Sequence, residues 1–363
     1  MIELSPALHD RPKTLEVLRT LSRYICESGM EPGDKFPAQT ELRERFGFHN
    51  NTLTPAMKML EECGLLERRR KFGTVLRRKV ETSDIPALWR VGMAISASVA
   101  TEPFYGQLFH FLHRRLRDIG VSQRHYISSG LEDDGQGRFS KFDQMNEDLT
   151  DARLDLVLSM VGLPESDMLS WEKRSIPFVH VGSHQTAPCG AIIEQSRMAR
   201  EAVSLLAERG IKKTALISVV VSDAGFWKSY QQALCEFQMP CSDKQLHVTE
   251  RGPLEGRHVA ERILMLPPAK RPEALIITDD RVASGVAATL ANESTYRPVL
   301  VVRTNRQAPL AFALPVIHFE IDIDELAQRA VELVQERLLR PSHPQRRVFV
   351  GANLTDTETS YLR

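Results

Sequence analysis

The stretch Asn50-Asn51-Thr52-Leu53-Thr54-Pro55-Ala56-Met57-Lys58-Met59-Leu60-Glu61-Glu62-Cys63-Gly64-Leu65-Leu66-Glu67-Arg68-Arg69-Arg70-Lys71-Phe72-Gly73-Thr74-Val75 decides how the first part of this chain folds. Leu53, Met57 and Leu60 recur at helical spacing, and Gly64 supplies the stop. Asn50 or a neighbour reads as the helix cap, and Pro55 is expected in the first turn, where a missing N–H costs little. Leu65–Arg70 and Thr74–Arg78 then read as two short strands around Lys71-Phe72-Gly73, a hairpin. Upstream, Lys13–Ser28 carries Leu15, Leu18, Tyr24 and Ile25 on one stripe, with Gly29 as its stop. A turn at Glu31-Pro32-Gly33-Asp34-Lys35 and a short helix through Glu41–Phe46, closed by Gly47, fill the interval.

Three helices and a basic hairpin make a winged helix-turn-helix arrangement. Charge supports it. The 363-residue chain is neutral overall, but residues 1–80 hold 15 Lys+Arg against 11 Asp+Glu, a net of +4, which leaves −4 on the remainder. Arg68, Arg69, Arg70, Lys71, Arg77, Arg78 and Lys79 fall within twelve positions that contain no acid. A basic first unit on an acidic body suits a nucleic-acid reader. The bland alternative is a solvated charged hairpin.

Residues 81–89 form a short, polar, proline-containing linker, and residues 90–363 form the second unit. There, apolar runs at Val91–Ile95, Leu154–Leu158, Phe178–Val181, Thr214–Val221, Ala274–Thr278 and Val299–Val302 alternate with helical patterns. The helical patterns are Phe109–Ile119, Arg197–Arg209, Phe226–Phe237, Arg257–Leu266, Val282–Asn292 and Ile323–Leu339. Such alternation means parallel sheets covered by helices on both faces, and the length suffices for two lobes. Ligands of such sheets sit beyond the carboxyl ends of the strands.

The opening Met-Ile-Glu-Leu-Ser-Pro lacks the pattern of a secretory signal, and no apolar run approaches the ~18 residues of a membrane span. Cys26, Cys63, Cys189, Cys235 and Cys241 form an odd set without a C-x-x-C pair, which argues for reduced thiols and against a disulfide framework or zinc. The expectation is a cytoplasmic protein with no membrane partner, metal or cofactor.

The first 78 residues resemble the winged-helix domain of the GntR superfamily. The resemblance is carried by Pro32-Gly33-Asp34-Lys35, Pro37, Glu41-Leu42, Arg45-Phe46-Gly47, the helix Asn51–Leu60, Glu61-Glu62-Cys63-Gly64-Leu65-Leu66 and Gly73-Thr74-Val75. It implies a DNA surface of Thr40, His49, Asn50, Asn51, Thr52 and Thr54, with Arg69, Arg70, Lys71 and Gly73 in the wing. Members usually carry arginines where this chain has Thr40, Asn50 and Thr54, and a glycine where it has Lys71. Bidentate arginine is the common reader of guanine, whereas asparagine pairs better with adenine. For Asn50 a plain capping role stands beside base readout.

Residues from about 90 to 355 resemble the effector domain of LacI-type regulators, shared with periplasmic sugar-binding proteins. Val91-Gly92-Met93-Ala94-Ile95 with Pro103-Phe104-Tyr105-Gly106, then Ile176-Pro177-Phe178-Val179-His180-Val181-Gly182, then Asp279-Asp280-Arg281-Val282-Ala283-Ser284-Gly285 carry this likeness. It implies an effector site of Ser96, Phe104, Tyr105, Phe226, Trp227, Asp279, Thr304 and Asn305. An arginine that often grips sugar hydroxyls is replaced by Phe226 when Ser229-Tyr230 is aligned with the usual Gly-aromatic pair, and the usual Asn is Asp279. An aspartate can accept paired hydroxyls and the aromatics can stack on a sugar ring, while core packing is the alternative for each aromatic.

These resemblances imply a transcription repressor: a homodimer on a pseudo-palindromic double-stranded operator, controlled by a small effector, a carbohydrate first. Two alternatives stand beside it, a DNA-binding regulator without a ligand and an α/β enzyme fused to a DNA-binding domain. For the enzyme, Asp279-Asp280 could suggest a metal or phosphoacceptor, but no nucleophile elbow, Walker loop, Gly-x-Gly-x-x-Gly after a strand or His-Glu-x-x-His occurs. Ser183-His184 is read as loop packing, and Gly135-Gln136-Gly137 as a polar loop.

Overall fold

A computed structural model describes residues 12–85, 88–96, 102–128, 142–162, 176–194, 196–219 and 224–355. Helix α1 (Pro12–Glu27), α2 (Gln39–Phe46) and α3 (Asn50–Glu62) precede a hairpin of β1 (Leu66–Arg69) and β2 (Gly73–Leu76). Leu18, Leu21 and Ile25 of α1 and Leu53, Met57 and Leu60 of α3 are all at most 2% exposed, so the two apolar stripes close one core. The hairpin pairs antiparallel with Arg69 opposite Gly73. Between them Lys71 sits at φ +71°, a left-handed conformation that glycine adopts more easily.

One local expectation can be made definite and another needs correction. Of Asn50 and its neighbours, it is His49 that occupies the cap position of α3, without a side-chain cap bond, so Asn50 itself is the first helical residue and not the cap. Pro55 therefore lies beyond the first turn, where its missing N–H leaves the Asn51 carbonyl without its usual partner.

The segment read as a linker is packed. It contains a 3-10 turn at Thr82–Asp84, and Thr82, Ile85, Leu88 and Trp89 are each at most 3% exposed. The alternating region builds two lobes. The first contains β3 (Arg90–Ser96), α4 (Pro103–Asp118), β4 (Ser122–Ser128), α5 (Asp143–Thr150), β5 (Leu156–Ser159), β6 (Phe178–Gly182) and β7 (Gly190–Glu194). The second contains α6 (Ser196–Glu208), β8 (Thr214–Val219), α7 (Ala224–Glu236), β9 (Leu246–Thr249), α8 (Pro253–Leu264), β10 (Ala274–Ile277), α9 (Asp280–Ala291), β11 (Val299–Asn305) and β12 (Val316–Ile321). Helix α10 (Ile323–Leu339) returns to the first lobe, where β13 (Arg347–Gly351) joins β7, and β14 (Asn353–Leu354) crosses back to pair with β12.

The sheet orders are β13-β7-β6-β5-β3-β4 and β14-β12-β11-β10-β8-β9. Leaving out the crossing strands β13 and β14, each lobe has its first strand between the second and third, the doubly wound order that opens a crevice at the carboxyl edge. Strands β4, β7, β9 and β12 to β14 have no counterpart among the runs named from sequence. The far end of Thr214–Val221 and the loop Gly135-Gln136-Gly137 lie outside the described residues. Among the described residues no helix is long and apolar enough to cross a membrane, and the cysteines are free.

Candidate functional site

Two surfaces gather the chemistry. On the winged domain, the first turn of α3 exposes His49, Asn50, Asn51 and Thr54, and Thr40 is exposed at the start of α2. The side chains of Asn50 and Asn51 make no hydrogen bond among the described residues, so the first helical turn presents amides with open valences. Thr52 differs: its hydroxyl donates to the His49 carbonyl at 2.9 Å. In the wing, Arg68 is paired with Glu61 at 2.6 Å and Arg69 with Glu67 at 3.3 Å. No described carboxylate pairs with Arg70 or Lys71, and Phe72 between Lys71 and Gly73 is 72% exposed.

The second surface is a cleft between the lobes, at the carboxyl ends of their strands. It is lined by Glu102, Phe104, Tyr105 and Ser183 from the first lobe. Arg251, Thr278, Asp279, Asp280, Arg281, Arg303 and Asn305 line it from the second, with Ile193, Leu310 and Ile321 among the apolar walls. Arg251 is the centre of a clasp across the gap. Its guanidinium lies 3.1 Å from Glu102 and 3.8 Å from Asp279, and Arg281 approaches Glu102 at 3.6 Å. Burial opposes the charge of Arg251, but the Tyr105 hydroxyl, Glu102 and Asp279 outweigh it and raise its pKa. Burial pushes Glu102 up, against the pull of Arg251. With the clasp closed the space is about 60 Å3, well under the ~300 Å3 at the small end of ligand pockets. A ring-sized ligand must part the lobes or displace the clasp.

The placement of the expected effector residues is mixed. Phe104, Tyr105, Asp279 and Asn305 line the cleft; Ser96, Phe226, Trp227 and Thr304 do not. Phe226 is fully buried, because α7 turns it into the core, and the half-buried Trp227 packs on Tyr230 at 5.7 Å outside the cleft lining. Thr304 is 3% exposed and sits 3.3 Å from His318 Nδ1. Asp279 is also less free than expected. One of its oxygens caps α9, accepting from the N–H groups of Arg281 and Val282 at 3.0 and 3.1 Å. Sequence reasoning missed Glu102, Arg251, Asp280, Arg281 and Arg303. The arginine absent at Phe226 has a cleft counterpart in Arg251, which follows β9. Ser183 reaches the cleft, whereas His184 packs on His180 at 5.6 Å and is not part of the cleft lining.

Asp280 is 9% exposed and accepts from Asn305 Nδ2 at 2.7 Å. Burial, with Asp279 adding repulsion, raises its pKa to about 6. A carboxyl raised by folding favours the folded state below its unfolded value, and this contribution is lost as pH rises through 6. Asp280→Asn should therefore be more stable than wild type above pH 6, by at most about 3 kcal/mol, with the difference vanishing towards pH 4. Thermal melts across that range check it; a pH-independent difference contradicts it.

Residues 13–76 match the model of the bacterial regulatory proteins of the gntR family. Over 290 residues the chain is 22% identical to the arabinose metabolism transcriptional repressor of Geobacillus stearothermophilus, covering 75% of each protein. Among solved structures, a LacI regulator of Bacillus cereus subsp. cytotoxis matches 74% of this chain and 99% of its own at 15% identity and TM-score 0.63. A LacI-family regulator from Lactobacillus casei, solved with bound sucrose, matches 74% and 98% at 21% identity and TM-score 0.57. The chain joins a GntR-type DNA-binding domain to a LacI-type effector fold. It is a DNA-binding transcription regulator, and the enzyme alternative falls because these relatives are regulators. The α3 surface and the wing both lie within the residues that match the gntR family model.

Proposed function

We propose that the regulator is a cytoplasmic, homodimeric repressor, built as units 1–80 and 90–363 around the segment 81–89, whose inter-lobe cleft takes a small carbohydrate. The observation that carries this reading is the grouping of Asp279, Asp280 and Asn305 with three arginines and Phe104 at the strand ends. Carboxylates accept hydroxyl hydrogens, guanidinium and amide groups donate to hydroxyl oxygens, and an aromatic face suits a sugar's C–H surface. The named arabinose repressor and the sucrose-bound neighbour point the same way. A thermal-shift screen of mono- and oligosaccharides tests it, because a ligand that binds only the folded state raises its stability. If no carbohydrate shifts the melt, the second reading gains: a regulator whose cleft is filled by its own Arg251–Glu102 clasp.

For the DNA surface, Arg69 and Arg70 are assigned to phosphates. Replacing both with alanine should weaken binding to all sequences and lower the slope of log affinity against log salt by roughly 0.9 per lost contact. A loss confined to one operator sequence with an unchanged slope contradicts this. Asn50 and Asn51 are assigned to base edges, adenine first. Asn50→Ala or Asn51→Ala should relax preference at one position by about 1–3 kcal/mol in a binding-site selection. Unchanged preferences in both variants would return these residues to the phosphate backbone or to solvent.

A further inference from the structure

Helix α1 has two working faces, and the winged fold accounts for one. Leu18, Leu21 and Ile25 point into the winged core. Arg19, Arg23 and Glu27 follow one another at four-residue steps on another side, where an isolated winged domain would leave them in water. Instead each finds its partners on the sensor side of the chain. Arg19 donates to the Leu88 carbonyl at 2.9 and 2.7 Å and pairs with Asp155, at the foot of β5, at 3.2 Å. Arg23 donates to the Leu338 carbonyl at 3.0 Å with its guanidinium 5.1 Å from the Trp89 ring. Glu27 accepts from the Ser342 hydroxyl at 2.7 Å and its N–H at 3.2 Å.

The burial is substantial. The side chains of Arg19 and Asp155 are 12% and 9% exposed, and Trp89 is 1% exposed. A charge removed from water is tolerated only where partners replace the water, and the hydrogen-bond and ion-pair partners of these two arginines lie outside residues 1–80. The face is therefore matched to one geometry of head on lobe, which a loosely tethered head would not need.

Leu338 and Ser342 belong to the far end of α10 and the turn beyond it. The near end of that helix begins at the cleft. Ile321 lines the cleft, and Asp322 caps α10 while holding Gln307 and Arg306 of the second lobe at 2.7 Å each. The 17 residues of α10 span about 25 Å at 1.5 Å per residue. One helix thus connects the lobe crossing to α1, and α1 packs on α3.

We propose that the Arg19–Arg23–Glu27 face of α1 is a docking surface that clamps the DNA-binding domain to the first lobe, with α10 as the lever that carries lobe movement to it. The clamp stands independently of the cleft's ligand; the lever rests on the effector reading given above. The clamp is read through Trp89, with Trp171 and Trp227 replaced by Phe so that it is the sole tryptophan. In that background Arg19→Ala/Arg23→Ala should raise the acrylamide quenching of Trp89 at least about threefold, because breaking a buried, partnered charge is strongly destabilising to the contact. Small-angle scattering should show an increased radius of gyration. Glu27→Lys, at the exposed rim, should move both readouts in the same direction by less, which keeps the test informative should the double variant fail to fold. Trp89 as shielded as in the parent, in whichever variant folds, overturns the clamp. The lever is read with a carbohydrate found by the screen: the undocked variant should keep its affinity for the sugar within about twofold and lose the sugar's effect on operator affinity. An operator response that survives undocking overturns the lever. If no carbohydrate binds, the effector reading and the lever built on it fall together, while Trp89 shielding decides the clamp.

Discussion

Gly285→Ala is expected to be strongly destabilising, with the shortest backbone clash found at the described glycines. A Cβ at that position would lie 1.9 Å from the Pro253 carbonyl oxygen, and one at Gly256 would lie 2.0 Å from the Val282 carbonyl oxygen. Both obstacles are backbone, so no rotamer change relieves them, and α8 and α9 would have to move apart. Overpacking of this kind costs typically 1–3 kcal/mol and occasionally more. With two rigid backbones the upper end applies, about 3 kcal/mol or more, a fall in melting temperature of roughly 10 °C. The damage would reach function, because α8 follows Arg251 directly and α9 begins at Asp280. The variant should lose ligand-induced stabilisation along with intrinsic stability. Gly106→Ala is the control, since its added Cβ would meet nothing within 4 Å and the site lies in a helix. That substitution should be neutral or stabilising by up to about 1 kcal/mol. Equal melting temperatures for Gly285→Ala and wild type would contradict the close packing.

Arg251→Ala is expected to disable the cleft without unfolding the lobes. The substitution leaves Glu102 and Asp279, 18% and 13% exposed, facing each other with their shared cation gone. Charge-assisted hydrogen bonds contribute about 1.5–3 kcal/mol, so carbohydrate affinity should fall roughly ten- to a hundredfold by calorimetry. Arg251→Lys should recover only part of this, because an ammonium cannot present the planar fork to Glu102 and Asp279 together. Full affinity in the alanine variant would remove Arg251 from the effector site.

The winged domain was legible because its constraints are local. Glycine stops, helical stripes and a basic hairpin fall within some 65 consecutive positions, and each element can be read before its neighbours are known. The doubly wound lobes were legible mainly where a strand carries an unbroken apolar run, as with Leu275, Ile276 and Ile277 of β10; the interior β7, buried along Gly190–Ile193 but with only Ala191, Ile192 and Ile193 apolar between Gly190 and Glu194, was missed. Strands at the sheet edges were not: β4 reads Ser-Gln-Arg-His-Tyr-Ile-Ser, with only its Tyr126 and Ser128 buried. A strand with one free edge needs no continuous apolar run, so no such run marks it.

By itself the sequence determined a winged domain followed by an alternating α/β region and the motif residues that open its helices. Tertiary structure alone decided which side chains meet. Phe104 and Phe226 both lie early in a helix that follows a strand, yet one lines the cleft and the other is fully buried. That choice depends on how each helix is rotated against its sheet, which residue type does not encode. Arg251 and Glu102 stand 149 positions apart, in different lobes, and form one ion pair. Arg19 and Asp155 repeat the lesson between head and lobe. Local propensity and periodicity act over a few turns of chain, whereas a site made at the carboxyl ends of two sheets exists only once long-range burial has brought those ends together.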